Sequence, residues 1–252
     1  MLSLVILAFN DGKSLQENIP DWIKSMASIP GEFELIIADD GSSDNTPQVA
    51  DELSRQYRQI KYVRNSNNKG VGANFRMGIE QASGEFIAYT DGDGQYLPTD
   101  LDKLWREMDS YDMITGRRRR RADPFSRTIA SIVYNRLVRT IYPISVIDIN
   151  SGLKIFKRKF IDLCGPQISD GPFFDAEYLI KGVAYGMRIK EIPIGHRKRK
   201  YGKAAGISKK SIGLLFREIC HRQMSPYVQR NYFARLVFRL LTIQASFSLS
   251  MP

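Results

Sequence analysis

The chain has 252 residues, 43% hydrophobic and 25% charged, with 19 Gly and 11 Pro; it can bury a substantial core, and this composition excludes a disordered, collagen-like or low-complexity protein. Its net charge of +10 conceals a division: residues 1–116 carry 10 Lys+Arg against 19 Asp+Glu, net −9, and residues 117–252 carry 27 against 8, net +19. Such a split suits an N-terminal half that holds a cation or a nucleotide's polar groups and a C-terminal half that faces phosphates, nucleic acid or a membrane surface.

Along the first half, strand and helix signals alternate. Ser3 to Phe9 is a short apolar run, followed by a helical stripe of Leu15, Ile19, Trp22, Ile23 and Met26. Phe33 to Ala38 is a second strand ending in a polar turn, and Thr46-Pro47 opens a helix carrying Val49, Leu53 and Tyr57 on one face. Ile60 to Arg64 reads as a strand, Gly70 to Ala82 as a helix, Glu85 to Thr90 as a strand, Pro98 to Met108 as a helix and Asp112 to Thr115 as a short strand. This alternation predicts an α/β fold: a mostly parallel, Rossmann-like sheet with helices on both faces. Beyond the basic run Arg117 to Arg121, a helix is expected from Ser126 to Tyr142, with Ile129, Ile132, Val133, Leu137 and Ile141 facing inward. A strand near Gly152 to Phe156, a helix from Phe173 to Tyr185, a strand from Met187 to Ile194 and a loop to Gly206 complete one domain, residues 1–206. Residues 207–252 read as an extension of amphipathic helices with stripes Ile212, Leu215, Phe216, Ile219 and Phe233, Leu236, Val237, Leu240, Leu241, suited to a membrane surface or a partner protein.

In open α/β sheets, ligands bind beyond the carboxyl ends of the strands. Three acidic clusters fall there: Asn10-Asp11 after the first strand, Asp39-Asp40 after the second and Asp91-Gly92-Asp93-Gly94-Gln95 after the fourth. Two carboxylates one residue apart, on a backbone that glycine lets bend, present oxygen ligands suited to Mg²⁺ or Mn²⁺. A metal so held can bridge phosphate oxygens and offset the charge of a departing diphosphate.

These residues resemble a known family. Ala8-Phe9-Asn10-Asp11, the run Ile37 to Thr46, Asn68-Lys69-Gly70-Val71-Gly72 and Asp91 to Gln95 are similar to the inverting family 2 glycosyltransferases of GT-A fold. Thr115-Gly116-Arg117, Asp148 to Gly152 and Phe174-Asp175-Ala176-Glu177 resemble the branch containing dolichyl-phosphate mannose synthases and bacterial polyprenyl-phosphate glycosyltransferases. The resemblance spans residues 2–206. It implies that Leu7, Phe9, Asn10 and Asp11 line a nucleotide pocket, with Ile37 and Asp39 flanking the base. It further implies that Asp91, Asp93 and Gln95 hold the metal, that Gly92 sits against the diphosphate, and that Arg117 is a catalytic phosphate ligand. The loop His196 to Lys203, with Arg199 and Lys203, would close over the phosphates. The sequence departs from the family in having Leu7 for proline, Phe9 for tyrosine and Ala205 for a lysine.

The expected reaction moves a sugar from a UDP- or GDP-linked donor to a polyprenyl phosphate. A sugar hydroxyl needs a general base, for which Asp175 or Glu177 are candidates, whereas a lipid monophosphate is already ionised. One alternative is a family 2 enzyme that extends a glycan with a carboxylate base; another is a basic nucleic-acid-binding protein, which leaves the acidic clusters unexplained. The longest uncharged run, 13 residues from Leu240 to Pro252, is shorter than the roughly 20 of a spanning helix. The N-terminus lacks a basic leader region and Cys164 and Cys220 form no paired motif, so a cytoplasmic protein, peripheral at a membrane's cytoplasmic face, is expected.

Overall fold

A computed structural model describes residues 1–119, 121–166 and 169–202. The chain begins β1 (Leu2–Ala8), α1 (Gly12–Ala27), β2 (Phe33–Asp39), α2 (Thr46–Gln56), β3 (Ile60–Arg64), α3 (Val71–Gln81) and β4 (Phe86–Asp91). It continues with α4 (Asp100–Trp105), β5 (Met113–Arg118), α5 (Phe125–Ile141), β6 (Leu153–Lys157), α6 (Arg158–Cys164), α7 (Phe174–Ala184) and β7 (Ile189–Ile194). The seven strands form one sheet in the order β3-β2-β1-β4-β6-β5-β7. All neighbours are parallel except β6, which runs antiparallel to both β4 and β5. The expected mostly parallel sheet is therefore present, with one reversed strand that begins, rather than ends, at the edge where the parallel strands finish.

The uniformly apolar β1 is explained by burial on two sides, as parallel strands require. Leu4 and Ile6 pack with Leu15, Ile19 and Trp22 of α1 and Val49 and Leu53 of α2. Val5 and Leu7 join an opposite core containing Phe75, Tyr89, Phe156, Phe160, Phe174 and Tyr178. In that second core the Phe75 ring meets Tyr89 edge-on at 4.8 Å, a geometry favoured by ring quadrupoles, and packs tilted on Phe174 at 5.2 Å.

Helix α5 departs from expectation. Its buried residues are Tyr134, Asn135 and Val138, while Ile129, Ile132 and Val133, expected inside, are 43%, 58% and 61% exposed. Leu137 and Ile141 are half-buried. Apolar residues occupy most of this helix's circumference, so periodicity alone selects no inward face; tertiary packing does. Phe125, at 81% exposed, extends the outward apolar face, since positions 125, 129, 132 and 133 follow helical spacing. The C-terminal extension and its two stripes lie outside the described residues. Among the described residues no helix is long and apolar enough to cross a membrane.

Candidate active site

The register of the sheet brings the acidic clusters together. Ala8 pairs with Asp39 and Leu7 with Asp91, so the segments after β1, β2 and β4 leave the same edge side by side. Beyond β1, Asn10 adopts φ 56°, a left-handed conformation that asparagine tolerates. Its Oδ1 accepts from the Ser43 amide at 2.8 Å, and its own amide donates to Ser42 Oγ at 2.9 Å. This ties the first acidic turn to the second.

Asp39 and Asp40 are fixed by such local bonds. Asp39 is fully buried; its Oδ1 accepts from the Ser42 amide (2.9 Å) and hydroxyl (2.5 Å), and its Oδ2 from Tyr62 (2.9 Å), with Arg64 Nε at 3.3 Å. Asp40 accepts from Asn65, the Lys69 amide and the Gly70 amide, holding the turn before α3. Asp39 thus lies at the expected edge with its lone pairs engaged by the protein. Ile37 is fully buried in the core beneath, and Leu7 is 6% exposed, whereas Phe9 stands 40% exposed at the mouth.

Asp91 and Asp93 follow at the end of β4. Asp91 lies deep but is not wholly covered. Burial, then the charges of Asp93 and Asp175, push its carboxyl up to about 8 against the opposing pull of Arg118 and Lys154. Asp93 Oδ1 accepts the Gln95 amide at 3.0 Å. Gly152 at the start of β6 packs directly on Asp91, where a Cβ would overlap the Oδ2 oxygen. The Gly152 amide donates to Tyr96 Oη at 2.6 Å.

These groups fit a hard divalent cation. Among the described residues no cluster of three or more His, Cys, Asp or Glu forms an all-protein cage, and a carboxylate pair plus an amide oxygen is the partial oxygen set that Mg²⁺ or Mn²⁺ completes with phosphate and water. The raised Asp91 carboxyl is a group whose anionic form such a cation would favour. Gln95 directs its Nε2 at the Arg197 carbonyl (3.0 Å), which leaves Oε1 as its acceptor.

Arg117 and Arg118 part company on β5 because successive side chains of a strand point to opposite faces. Arg117 is 4.0 Å from Glu191 on β7, with its side chain 42% exposed. Arg118, 7% exposed, grips Asp148 with two prongs, Nε to Oδ2 and Nη2 to Oδ1, both 2.7 Å. Its Nη2 also donates to the Asn150 carbonyl at 3.0 Å. The Arg118 charge is among the leading influences on Asp91, pulling its carboxyl down.

The two acids proposed as general bases are engaged elsewhere. Asp175 Oδ1 accepts from Lys154 Nζ at 2.6 Å and from the Tyr89 hydroxyl; Lys154 also reaches Tyr89 Oη at 2.9 Å and the Ser151 carbonyl. Burial raises the Asp175 carboxyl, opposed chiefly by Lys154. Glu177 pairs with Lys181 at 2.7 Å and accepts the Ser169 amide at 3.0 Å.

The basic loop after β7 covers this edge. The Arg197 amide donates to the Gln95 carbonyl at 2.8 Å, the Gly195 amide to Asp100 Oδ2 at 2.7 Å, and Lys200 pairs with Glu17. Arg199 reaches Asp93 Oδ2 at 3.1 Å and Asp11 Oδ1 at 3.4 Å. Burial raises Asp11 to about 6, with Arg199 the main opposing influence. Lys203 lies outside the described residues.

A profile described as Glycosyl transferase family 2 matches residues 3–164. The chain belongs to this family. Among curated relatives of this family 2 chain, glycosyltransferase AglD of Haloferax volcanii is 31% identical over 205 residues, covering 77% of this chain and 32% of that protein. Undecaprenyl-phosphate 4-deoxy-4-formamido-L-arabinose transferase of Proteus mirabilis is 28% identical, covering 85% and 65%. Dodecaprenyl-phosphate galacturonate synthase of Rhizobium johnstonii is 32% identical, covering 86% and 64%. The chain thus spans less than two thirds of the length of each of these relatives. Crystal structures of glucosyl-3-phosphoglycerate synthase from Mycobacterium tuberculosis share the fold: the UDP complex has TM-score 0.67 at 18% identity, covering 85% of this chain and 77% of that one. The GT-A expectation holds.

Lys154, Arg118 and Tyr96 pack around the Asp91 cluster and were not singled out by the family 2 motifs. Arg118 was legible in principle: continuing the strand by three residues past Thr115 and applying its period of two separates it from Arg117. Lys154 carried no signal, since a lysine inside a short apolar strand reads as a surface-facing position.

Proposed function

We propose that this chain transfers a sugar, with inversion, from a nucleotide diphosphate sugar to a polyprenyl phosphate. The observation that carries this reading is the engagement of Asp175 and Glu177 by buried lysines. An acceptor hydroxyl needs a base to take its proton. A phosphate monoester, with a second pKa of about 6, needs only positioning and charge screening, which a basic second half supplies. The polyprenyl-phosphate names of two relatives support the same acceptor class.

In this mechanism Asp91, Asp93 and Gln95 would hold a divalent cation, which would supply positive charge to screen the negative charge that grows as the nucleotide leaves. The mycobacterial synthases solved with Mn²⁺ or Mg²⁺ and UDP support a divalent ion in this fold. An acceptor phosphate oxygen forms the new bond at the anomeric carbon as the bond to the diphosphate oxygen breaks; the nucleoside diphosphate departs with that electron pair. Arg118, fixed by Asp148 and Asn150 with its Nη1 3.9 Å from Asp123, contributes a fixed positive charge beside Asp91. Phe9 packs on the base and Asp11 accepts from the ribose.

The outward face of α5, with Phe125, Ile129, Ile132 and Val133 and the nearby Arg127 and Arg136, supports peripheral attachment to the membrane surface that carries the acceptor. The test is transfer from labelled UDP- and GDP-sugars to a polyprenyl phosphate with Mg²⁺ or Mn²⁺. Chelator-sensitive label in the organic phase, abolished by Asp93→Ala, is expected. Label that stays in water on an added glycan would replace this reading with glycan extension.

A further inference from the structure

Arg199 stands where the proposed donor site would otherwise hold two uncompensated carboxylates. Its Nε and Nη2 lie 3.3 Å and 3.1 Å from Asp93 Oδ2, and Nη2 lies 3.4 Å from Asp11 Oδ1. That Asp11 oxygen is buried and takes no hydrogen bond, so the guanidinium is its compensating charge. Asp93 has little to spare: its Oδ1 accepts the Gln95 amide and its Oδ2 faces the fork of Arg199. A cation approaching Asp93 meets a positive charge already seated on the oxygen it needs.

We propose that Arg199 is an exchangeable counter-ion: it neutralises Asp11 and Asp93 before the donor arrives, yields Asp93 to the incoming divalent ion, and takes the nucleotide diphosphate as its new partner. The inference rests on the donor-site reading above and adds an order to it, since metal and nucleotide then bind with positive coupling and metal alone binds poorly. Two anchors confine the exchange to the side chain. The backbone at residue 197 is tied to Gln95 by reciprocal bonds of 2.8 Å and 3.0 Å, and the next residue after Arg199, Lys200, pairs with Glu17. The side chain itself is 19% exposed, and a guanidinium matches a diphosphate as well as a carboxylate.

The test is the uptake of Mn²⁺, read from the paramagnetic signal of the free ion, with and without UDP or GDP, in wild type, Arg199→Gln and Arg199→Ala. Two variants are used so that one misfolded substitution does not decide the matter. Removing the resident charge is expected to tighten binding of Mn²⁺ alone by about tenfold and to weaken binding of Mn²⁺ with nucleotide by about as much, so that coupling between the two, ordinarily about 5- to 150-fold, shrinks or vanishes. Folded variants whose affinity for Mn²⁺ alone is unchanged or weaker overturn the exchange while leaving the donor site standing. A wild type that takes up no Mn²⁺ with either nucleotide overturns the donor-site reading and the exchange together.

Discussion

Lys154 on β6 and Asp175 on α7 meet at 2.6 Å with side chains 1% and 8% exposed, directly behind the carboxylate pair at the end of β4. A base must be able to take and release a proton at the acceptor, and an acid clamped by a buried ammonium and a tyrosine hydroxyl is instead a support for its neighbours. Asp175→Asn keeps the Tyr89 contact and removes the charge, so transfer to polyprenyl phosphate is expected to fall by no more than about tenfold in folded protein. Loss of the 10²- to 10⁴-fold that a general base contributes, at a temperature where the variant is shown to be folded, would return Asp175 to that role. Lys154→Met, which strands a buried carboxylate, is expected to cost about 3–5 kcal/mol in denaturant unfolding.

The adjacent arginines of β5 give a paired comparison. Arg118→Gln leaves Asp148 buried without its two-pronged partner and is expected to cost about 3–5 kcal/mol of stability and most of the transfer rate. Arg117→Gln alters a half-exposed contact at 4.0 Å and is expected to stay within about 0.5 kcal/mol of wild type. Equal losses in the two variants would contradict the division of roles; chemical denaturation and donor turnover measure both.

Asp91 makes the metal-free protein sensitive to pH. Its folded carboxyl is raised from 3.8 to about 8, so between those values the folded state binds more protons than the unfolded state and stability falls as pH rises. In EDTA, the melting temperature is therefore expected to drop from pH 5 to pH 8 more steeply in wild type than in Asp91→Asn. Because metal and proton compete for the same oxygens, apparent Mn²⁺ affinity with nucleotide is expected to increase over the same interval. A flat affinity profile would count against Asp91 as a ligand.

The exposed apolar residues of α5 predict a separable effect. Replacing Ile132 and Val133 together with Glu is expected to lower sedimentation with anionic vesicles by about tenfold. The melting temperature and the affinity for nucleotide should remain at wild-type values, since neither side chain supports the core. Unchanged vesicle binding would move membrane attachment to another surface.

The strands were legible because each is a short apolar run closed by a turn, and the observed ends of β1, β2 and β4 lie within one residue of expectation. The convergence of Asp11, Asp39 and Asp91 on one edge followed from the same alternation of strand and helix. What stayed hidden came from residues distant in sequence. Nothing around Asp39 announces that Tyr62 and Arg64 would fill its lone pairs, and nothing around Asp175 announces Lys154. The inward face of α5 was illegible for a different reason: apolar residues occupy most of that helix's circumference, so its orientation is decided by what it packs against.

Strand β6 runs against both neighbours, and this has a consequence for how the protein tolerates change. In an open parallel sheet, variation at the ligand edge is confined to segments that leave strands; here the segment entering β6, residues 148–152, borders the same crevice and seats Gly152 against Asp91. A single residue inserted ahead of Leu153 would shift that contact, whereas the same insertion after Lys157 would fall at the opposite rim of the sheet. Families of related chains can therefore diversify their substrates through an incoming segment as well as through the outgoing ones.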